Sequence, residues 1–193
     1  FIKVLGGFPI IRTERLVLRE IVMSDVNDVF ACFSDDDVIR YLDFHSFREI
    51  DAAKGFVRRM SWGFEKKEII RWAITLKDED RLIGTCFLSD FVEGSLAVLG
   101  YDLSKSYWGK GIMTEALKSV IPFGFDVLGL HKIQAIVNPL NIASASLLRK
   151  MGFQEGGLPR KYEYHYDREN FNNVLMFSLL KEEYEKVVKG HAL

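Results

Sequence analysis

The sequence predicts one α/β domain in which helices flank a mixed, largely antiparallel sheet. Three observations predict it. Three strand-like segments, Ile69–Leu76, Leu82–Leu88 and Leu96–Leu103, follow one another through short polar turns, as in an antiparallel meander. Beyond them helix and strand alternate, which places helices on the faces of a mixed sheet. At 193 residues, 48% hydrophobic and 27% charged, the chain can bury one core and is short for two. Residues 1–193 are therefore expected to form a single domain.

Taken in order, the stretch Ile10 to Arg19 ends in alternation, with Leu16 and Leu18 set against Arg15, Val17 and Arg19, and reads as a first strand. Ser24 is a good N-cap for a short helix carrying Val26, Val29, Phe30 and Phe33 at helical spacing. A second helix is expected from about Ser46 to Lys66, with Ile50, Ala53, Val57, Met60 and Phe64 on one face. The meander follows, turned by Lys77 to Arg81 and by Glu93-Gly94. Trp62, Trp72 and Phe87 read as core.

In the second half a helix is expected from near Gly109 to about Leu128, stopped by Gly129. Pro122 lacks the N–H that would bond back to Lys118, so a bend is expected there. Ile133 to Val137 reads as a strand ending at Asn138-Pro139. Asn141 caps a helix over Ile142–Met151, and Gly152 stops it. Two strands, about Phe153–Tyr166 and Asn172–Leu180, precede a charged final helix.

Composition narrows the partners. A formal charge of -1 gives no general attraction to polyanions, so neither nucleic acid nor an anionic membrane is expected. No apolar run reaches membrane-span length, and no signal-peptide pattern opens the chain. Cys32 and Cys86, without metal-ligand spacing, indicate neither a disulfide framework nor a metal site, and a cytoplasmic setting is expected.

The most informative segment runs from Gly100 to Ala116 and links a strand to a helix whose first turn carries Gly109, Gly111 and Thr114. Glycines let backbone approach a ligand, and the unpaired N–H groups of a helix start, with the summed peptide dipoles behind them, suit a phosphate. Lys105 and Lys110 add positive charge nearby. A P-loop would need glycine at Ser104 and a hydroxyl residue at Gly111. A dinucleotide fingerprint would need a third glycine at Thr114, within parallel βαβ units. Both fail.

Gly100–Ala116 resembles the acyl-CoA motif of the GNAT N-acyltransferases, in the form used by the RimJ/RimL-like branch. Three further segments carry the same likeness: Arg12 to Arg19, Asn138 to Ser144 followed by Met151-Gly152-Phe153, and Asn173 to Leu180. The resemblance implies acetyl-CoA as cofactor, with backbone amides of about Gly109, Lys110, Gly111, Ile112, Met113 and Thr114 on its pyrophosphate. It implies that Tyr101, Asp102 and Leu103 lie along the pantetheine arm. Trp108 stands where the family usually has Arg or Gln, and Trp is common there in this branch. Met113 replaces a small residue and is expected to narrow the space beside the phosphates.

Direct transfer to an amine requires a neutral amine and a proton for the departing thiolate. Ser144 lies on a helical stripe with Leu147, Leu148 and Met151. A lone hydroxyl there is either a small core residue bonding back to its own helix or a functional group. The resemblance implies the second, protonation of the thiolate. Asn141 is an N-cap, and by resemblance also a contact to the cofactor arm. Glu163, in the run Arg160 to Tyr166, reads as a solvated strand glutamate or, by resemblance, as the base acting through water. His165 and Asp102 are rival bases. Asp35, Asp36, Asp37, Asp167 and Glu169 would give the acceptor region negative potential, or are solvated turn residues.

The expected activity is acetyl transfer from acetyl-CoA to a primary amine: a protein N-terminus, a polyamine or a small amine. The alternative is an acyl-CoA-binding sensor or subunit without turnover. A homodimer is left open.

Overall fold

The structure is a computed structural model that describes residues 5–92, 95–160, 162–165 and 170–190. Eight strands form one sheet in the order β1-β2-β3-β4-β5-β6-β10-β7. They are β1 (Ile11–Arg12), β2 (Leu16–Glu20), β3 (Ile69–Leu76), β4 (Glu79–Val92), β5 (Leu96–Leu103), β6 (Lys132–Val137), β7 (Gln154–Gly157) and β10 (Leu175–Leu180). β5 and β6 are parallel, and every other neighbouring pair in this sheet is antiparallel. Among the described residues six α-helices accompany it: α1 (Val26–Phe33), α2 (Asp36–Ile39), α3 (Ile50–Glu65), α4 (Ile112–Pro122), α5 (Ile142–Lys150) and α6 (Lys181–Gly190).

Alternation along the strands builds two cores. Trp72, Cys86 and Leu99 pack with Met113, Leu117 and Val120 of α4, and with Leu148 of α5. Ala73 faces the other side, with Phe33 of α1 and Phe56 and Val57 of α3. The α4 segment is the crossover that makes β5 and β6 parallel, since parallel neighbours cannot be joined by a tight turn.

Several expectations are corrected. The first strand is two strands, β1 and β2, because Thr13 turns the chain: its N–H and hydroxyl both meet Leu16, and Ile11 pairs with Leu18. Ser24 does not cap α1. Asp25 takes over the junction, accepting from Val22 N–H at 2.8 Å and from both Nη atoms of Arg19 at 2.8 Å. Ser46 lies ahead of α3, where its hydroxyl donates to the Ser34 carbonyl. Pro122 lies in the last turn of α4, and the helical run expected to about Leu128 continues past it. A π-turn over Phe123–Val127 follows, closed by Leu128 N–H on Phe123 O.

The long strand expected over Phe153–Tyr166 is broken after Gly157. β8 (Glu163–His165) pairs with β9 (Asn170–Asn172) as a separate hairpin. Trp72 is core as expected, but Trp62 is exposed on α3, and Phe87 lies half-buried against a cavity. The turn at Glu93-Gly94 lies outside the described residues.

Candidate active site

The parallel ladder between β5 and β6 is short. It pairs Leu96, Ala97 and Val98 with Lys132, Ile133 and Gln134. β5 continues to Leu103 and β6 to Val137 without further pairing, so the two strands part toward their C-terminal ends. On that edge the β5 backbone from Leu99 onward is not engaged by β6, and an amide-bearing chain can use it as a strand would. A cavity of about 1000 Å³ occupies the opening. Its lining includes Tyr101 and Ser144 from the α4 and α5 side of the sheet, and Arg71, Phe87 and Phe56 from the α3 side. The cavity therefore reaches both faces.

Past the end of β5, outside the lining of this cavity, stands the loop Trp108 to Gly111. Gly109 and Gly111 adopt φ of 71° and 73°, a left-handed conformation that L side chains rarely take. Room is not the reason for Gly111, since a Cβ there would meet only Arg15 Nη2, at 3.6 Å. The left-handed turn throws the chain directly into α4. The first main-chain bond of that helix runs from Glu115 N–H to Gly111 O at 3.0 Å. The N–H groups of Gly109 to Thr114 have no partner among the described residues and form the open end of the helix.

The side chains of this loop serve scaffolding. Trp108 Nε1 donates to Leu103 O at 2.7 Å, which ties the loop to the end of β5. Ile112 and Met113 are buried in the core. The Met113 side chain thus packs into the core rather than standing on the surface of the loop. Lys105 pairs with Asp37, and the Lys110 ammonium stands 5.5 Å from the Tyr107 ring centroid.

Glu115 locks the loop to the N-terminal turn. Its Oε1 accepts from Thr13 Oγ1 at 2.6 Å and Arg15 N–H at 2.8 Å, and its Oε2 accepts from Arg15 Nε at 2.6 Å. Arg15 Nη1 also donates to Lys110 O at 3.1 Å. Burial raises the Glu115 carboxyl pKa, but the bonds from Thr13 and Arg15 outweigh it and leave the group below the ordinary glutamate value. No motif marked this contact, because its partners lie about 100 residues apart in sequence.

On the cavity lining, Asn138 and Asn141 shape the entry to α5. Asn138 Oδ1 accepts from Leu140 N–H at 3.0 Å, and Asn141 Oδ1 accepts from Ser144 N–H at 3.1 Å. Asn141 is therefore the N-cap, as expected. Ser144 follows in the first turn and faces the cavity, where its Oγ lies 2.8 Å from Tyr101 Oη. Burial pushes the Tyr101 phenol up to about 12, although the bond with Ser144 lowers it. Tyr101 is protonated at neutral pH.

Asp102 is committed elsewhere. Its Oδ2 accepts from Arg71 Nη2 at 2.8 Å and Thr85 Oγ1 at 2.6 Å, and its Oδ1 accepts from Thr85 N–H at 3.0 Å. Both of its oxygens are thus occupied within the protein. The acidic set near α2 is also matched: Asp35 caps α2, Asp36 pairs with Arg48, and Asp37 pairs with Arg40 and Lys105. Asp36 and Asp37 are thus paired with cations and Asp35 with a backbone N–H, which weakens the expected negative field there. Asp167 and Glu169 lie outside the described residues, as do the side chains of Glu163 and His165 on β8.

Comparison with known proteins agrees with this geometry. Residues 15–154 match the acetyltransferase (GNAT) domain model. The N-acetyltransferase YoaA of Bacillus subtilis is 37% identical over 175 residues, covering 90% of this chain and 98% of that protein. Among solved structures, ribosomal-protein-S5-alanine acetyltransferase from Vibrio fischeri shares the fold at a TM-score of 0.78 and 24% identity, covering 90% of this chain and 97% of that one. Mycobacterium smegmatis RimJ, solved in complex with CoA-disulfide, also has a TM-score of 0.78, at 21% identity over 91% of this chain and 89% of that one.

The residues present fit the family's cofactor: open amides at a helix start for the phosphates, and an unpaired strand edge for the arm. On the matched domain, the parted strands and the loop between them, this chain belongs to the GNAT acetyltransferases and takes its acetyl group from acetyl-CoA.

Proposed function

We propose that the chain transfers the acetyl group directly to a primary amine, on a protein N-terminus, a polyamine or a small molecule. Ser144 supplies the proton at sulfur, and Glu163 removes one from the amine. The observation that carries this reading is the placement of Ser144 Oγ in the cavity, 2.8 Å from the Tyr101 hydroxyl.

The cofactor brings the acetyl group as a thioester. The open amides of Gly109 to Thr114 hold its phosphates, and the free edge of β5 orients its arm. Either hydroxyl can donate in the Tyr101–Ser144 bond; with Tyr101, protonated at neutral pH, as the donor, the Ser144 proton is free to turn toward the sulfur. A thiol near pKa 8.5 needs only modest help to leave as a neutral group.

The amine sets the need for a base. At pH 7 an α-amine near pKa 8 costs about 1.4 kcal/mol to deprotonate, and a lysine-like amine near 10.4 about 4.6 kcal/mol. Glu163 is assigned this step by its position in the motif, with His165 two residues along β8 as its rival. Thiol release from acetyl-CoA, followed against a panel of amines, tests the reading. Amine-dependent release supports it. Binding of coenzyme A with no release on any amine would instead support a non-catalytic acyl-CoA-binding subunit.

A further inference from the structure

Arg71 stands in a row, Arg71, Phe87 and Gly100, that crosses β3, β4 and β5. Its side chain is 9% exposed, and it lines the cavity. Nε donates to Thr85 Oγ1 at 2.9 Å and Nη2 to Asp102 Oδ2 at 2.8 Å. Nη1 has no hydrogen-bond partner among the described residues. Buried donors are nearly always paired, so one left open on a cavity wall needs a reason.

The guanidinium cannot turn to find an acceptor elsewhere. Its carbon lies 4.4 Å from the Phe87 ring centroid and 4.9 Å from that of Phe56, while Thr85 and Asp102 hold its other two nitrogens. Phe87 reaches this position because residue 100 is glycine. A Cβ at Gly100 would stand 2.1 Å from the Phe87 ring.

We propose that Arg71 is a specificity-determining residue, whose Nη1 donates to a neutral carbonyl oxygen carried by the acceptor amine. Asp102 already balances the charge of Arg71. A second carboxylate at Nη1 would face Asp102 in a desolvated wall, where like charges repel strongly. A carbonyl oxygen brings a dipole without a charge. Phe47, Phe56, Met60 and Phe87 surround the spot and suit an apolar group on the same molecule. The lining carries Asp43, Glu49, Asp90 and Asp102 against Arg48, Arg59 and Arg71, an acidic excess of a single charge, which is little for a polycation.

The inference rests on the transfer reading above, but its test is separate from turnover. Three acetylated products are titrated by calorimetry into the protein saturated with coenzyme A: N-acetylphenylalaninamide, N-acetylphenethylamine, which lacks the carbonyl on the α-carbon, and N-acetylphenylalanine, which carries a carboxylate. The amide is expected to bind at least about tenfold tighter than the phenethylamine, since a site built to bond an oxygen rejects the analogue without it. The carboxylate is expected to bind more weakly than the amide.

Arg71→Lys keeps a cation beside Asp102 and removes Nη1, and is expected to bring the amide and phenethylamine within about twofold of each other. Equal affinities in the unaltered protein, no binding of the amide, tighter binding of the carboxylate, or an unchanged preference in Arg71→Lys would each overturn the assignment. Should Arg71→Lys fail to fold, the comparison in the unaltered protein decides. Failure here leaves acetyl transfer standing, whereas absence of thiol release with every amine removes the transfer reading and this inference with it.

Discussion

The hydroxyls of Tyr101 and Ser144 meet at 2.8 Å across the opening between β5 and β6. This bond joins the part of β5 beyond its pairing with β6 to the first turn of α5, so a strand and a helix start that are 43 residues apart share one site. Ser144→Ala is expected to lower kcat about 100-fold, the low end for proton transfer by a placed side chain, with coenzyme A affinity nearly unchanged. Tyr101→Phe keeps the serine and is expected to cost about fivefold in kcat, equivalent to one neutral hydrogen bond of about 1 kcal/mol. Steady-state kinetics beside calorimetric binding checks both. Equal loss of binding and turnover in Ser144→Ala would remove the serine from the chemistry.

Gly111 is required for its backbone conformation. Gly111→Ala places an L side chain at a φ of 73° and is expected to cost about 1–2 kcal/mol in stability, together with coenzyme A affinity. Gly111→Asn, which tolerates this region, is expected to recover most of both. Thermal melting and calorimetry give the two readouts. Full affinity in Gly111→Val would dissociate the left-handed turn from phosphate binding.

Glu115 should give the fold an acid-sensitive seam. Its folded pKa lies below the unfolded one, so its contribution is present above the ordinary glutamate range and fades as pH falls through the folded value. Melting temperature measured from pH 6 downward is expected to fall, with a smaller slope in Glu115→Gln. The same variant loosens Thr13 and Arg15 from the loop and is expected to weaken coenzyme A binding at neutral pH. An unchanged slope would show that the carboxylate is not what couples the N-terminal turn to α4.

If Glu163 is the base, its removal should hurt most where deprotonation is hardest. Glu163→Gln is expected to reduce kcat/KM for a lysine-like amine by at least about tenfold more than for an α-amine, following the difference of about 3 kcal/mol in deprotonation cost at pH 7. Rates compared across pH 6 to 9 for the two amines check this. Equal reductions for both would transfer the role to His165 or to solvent.

Much of this was legible along the chain because it depends on local rules. The meander strands, the cap at Asn141, the stop at Gly152 and the paired glycines before α4 all follow from periodicity, capping and backbone freedom, and the structure keeps them. Local rules failed where distant groups compete. Ser24 is a sound N-cap by type, yet Asp25 holds the junction because Arg19 reaches it from β2. Met113, the second residue of α4, is buried in the core beside Leu117 and Val120, a side-chain direction that the glycine-rich motif alone does not reveal. Phe87 looked like core and lines the cavity, since the missing side chain at Gly100 leaves its ring a place to lie.

By itself the sequence determined the fold class, the paired glycines before α4 and Asn141 as the cap of α5, because each rests on residues within a few positions of one another. Tertiary structure alone decided that β5 and β6 part after three paired residues, that Asp102 pairs with Arg71, and that Glu115 anchors the loop to Thr13 and Arg15. These are choices among partners far apart in the chain. Which acceptor a buried donor meets is fixed by packing, and packing is a property of the folded whole.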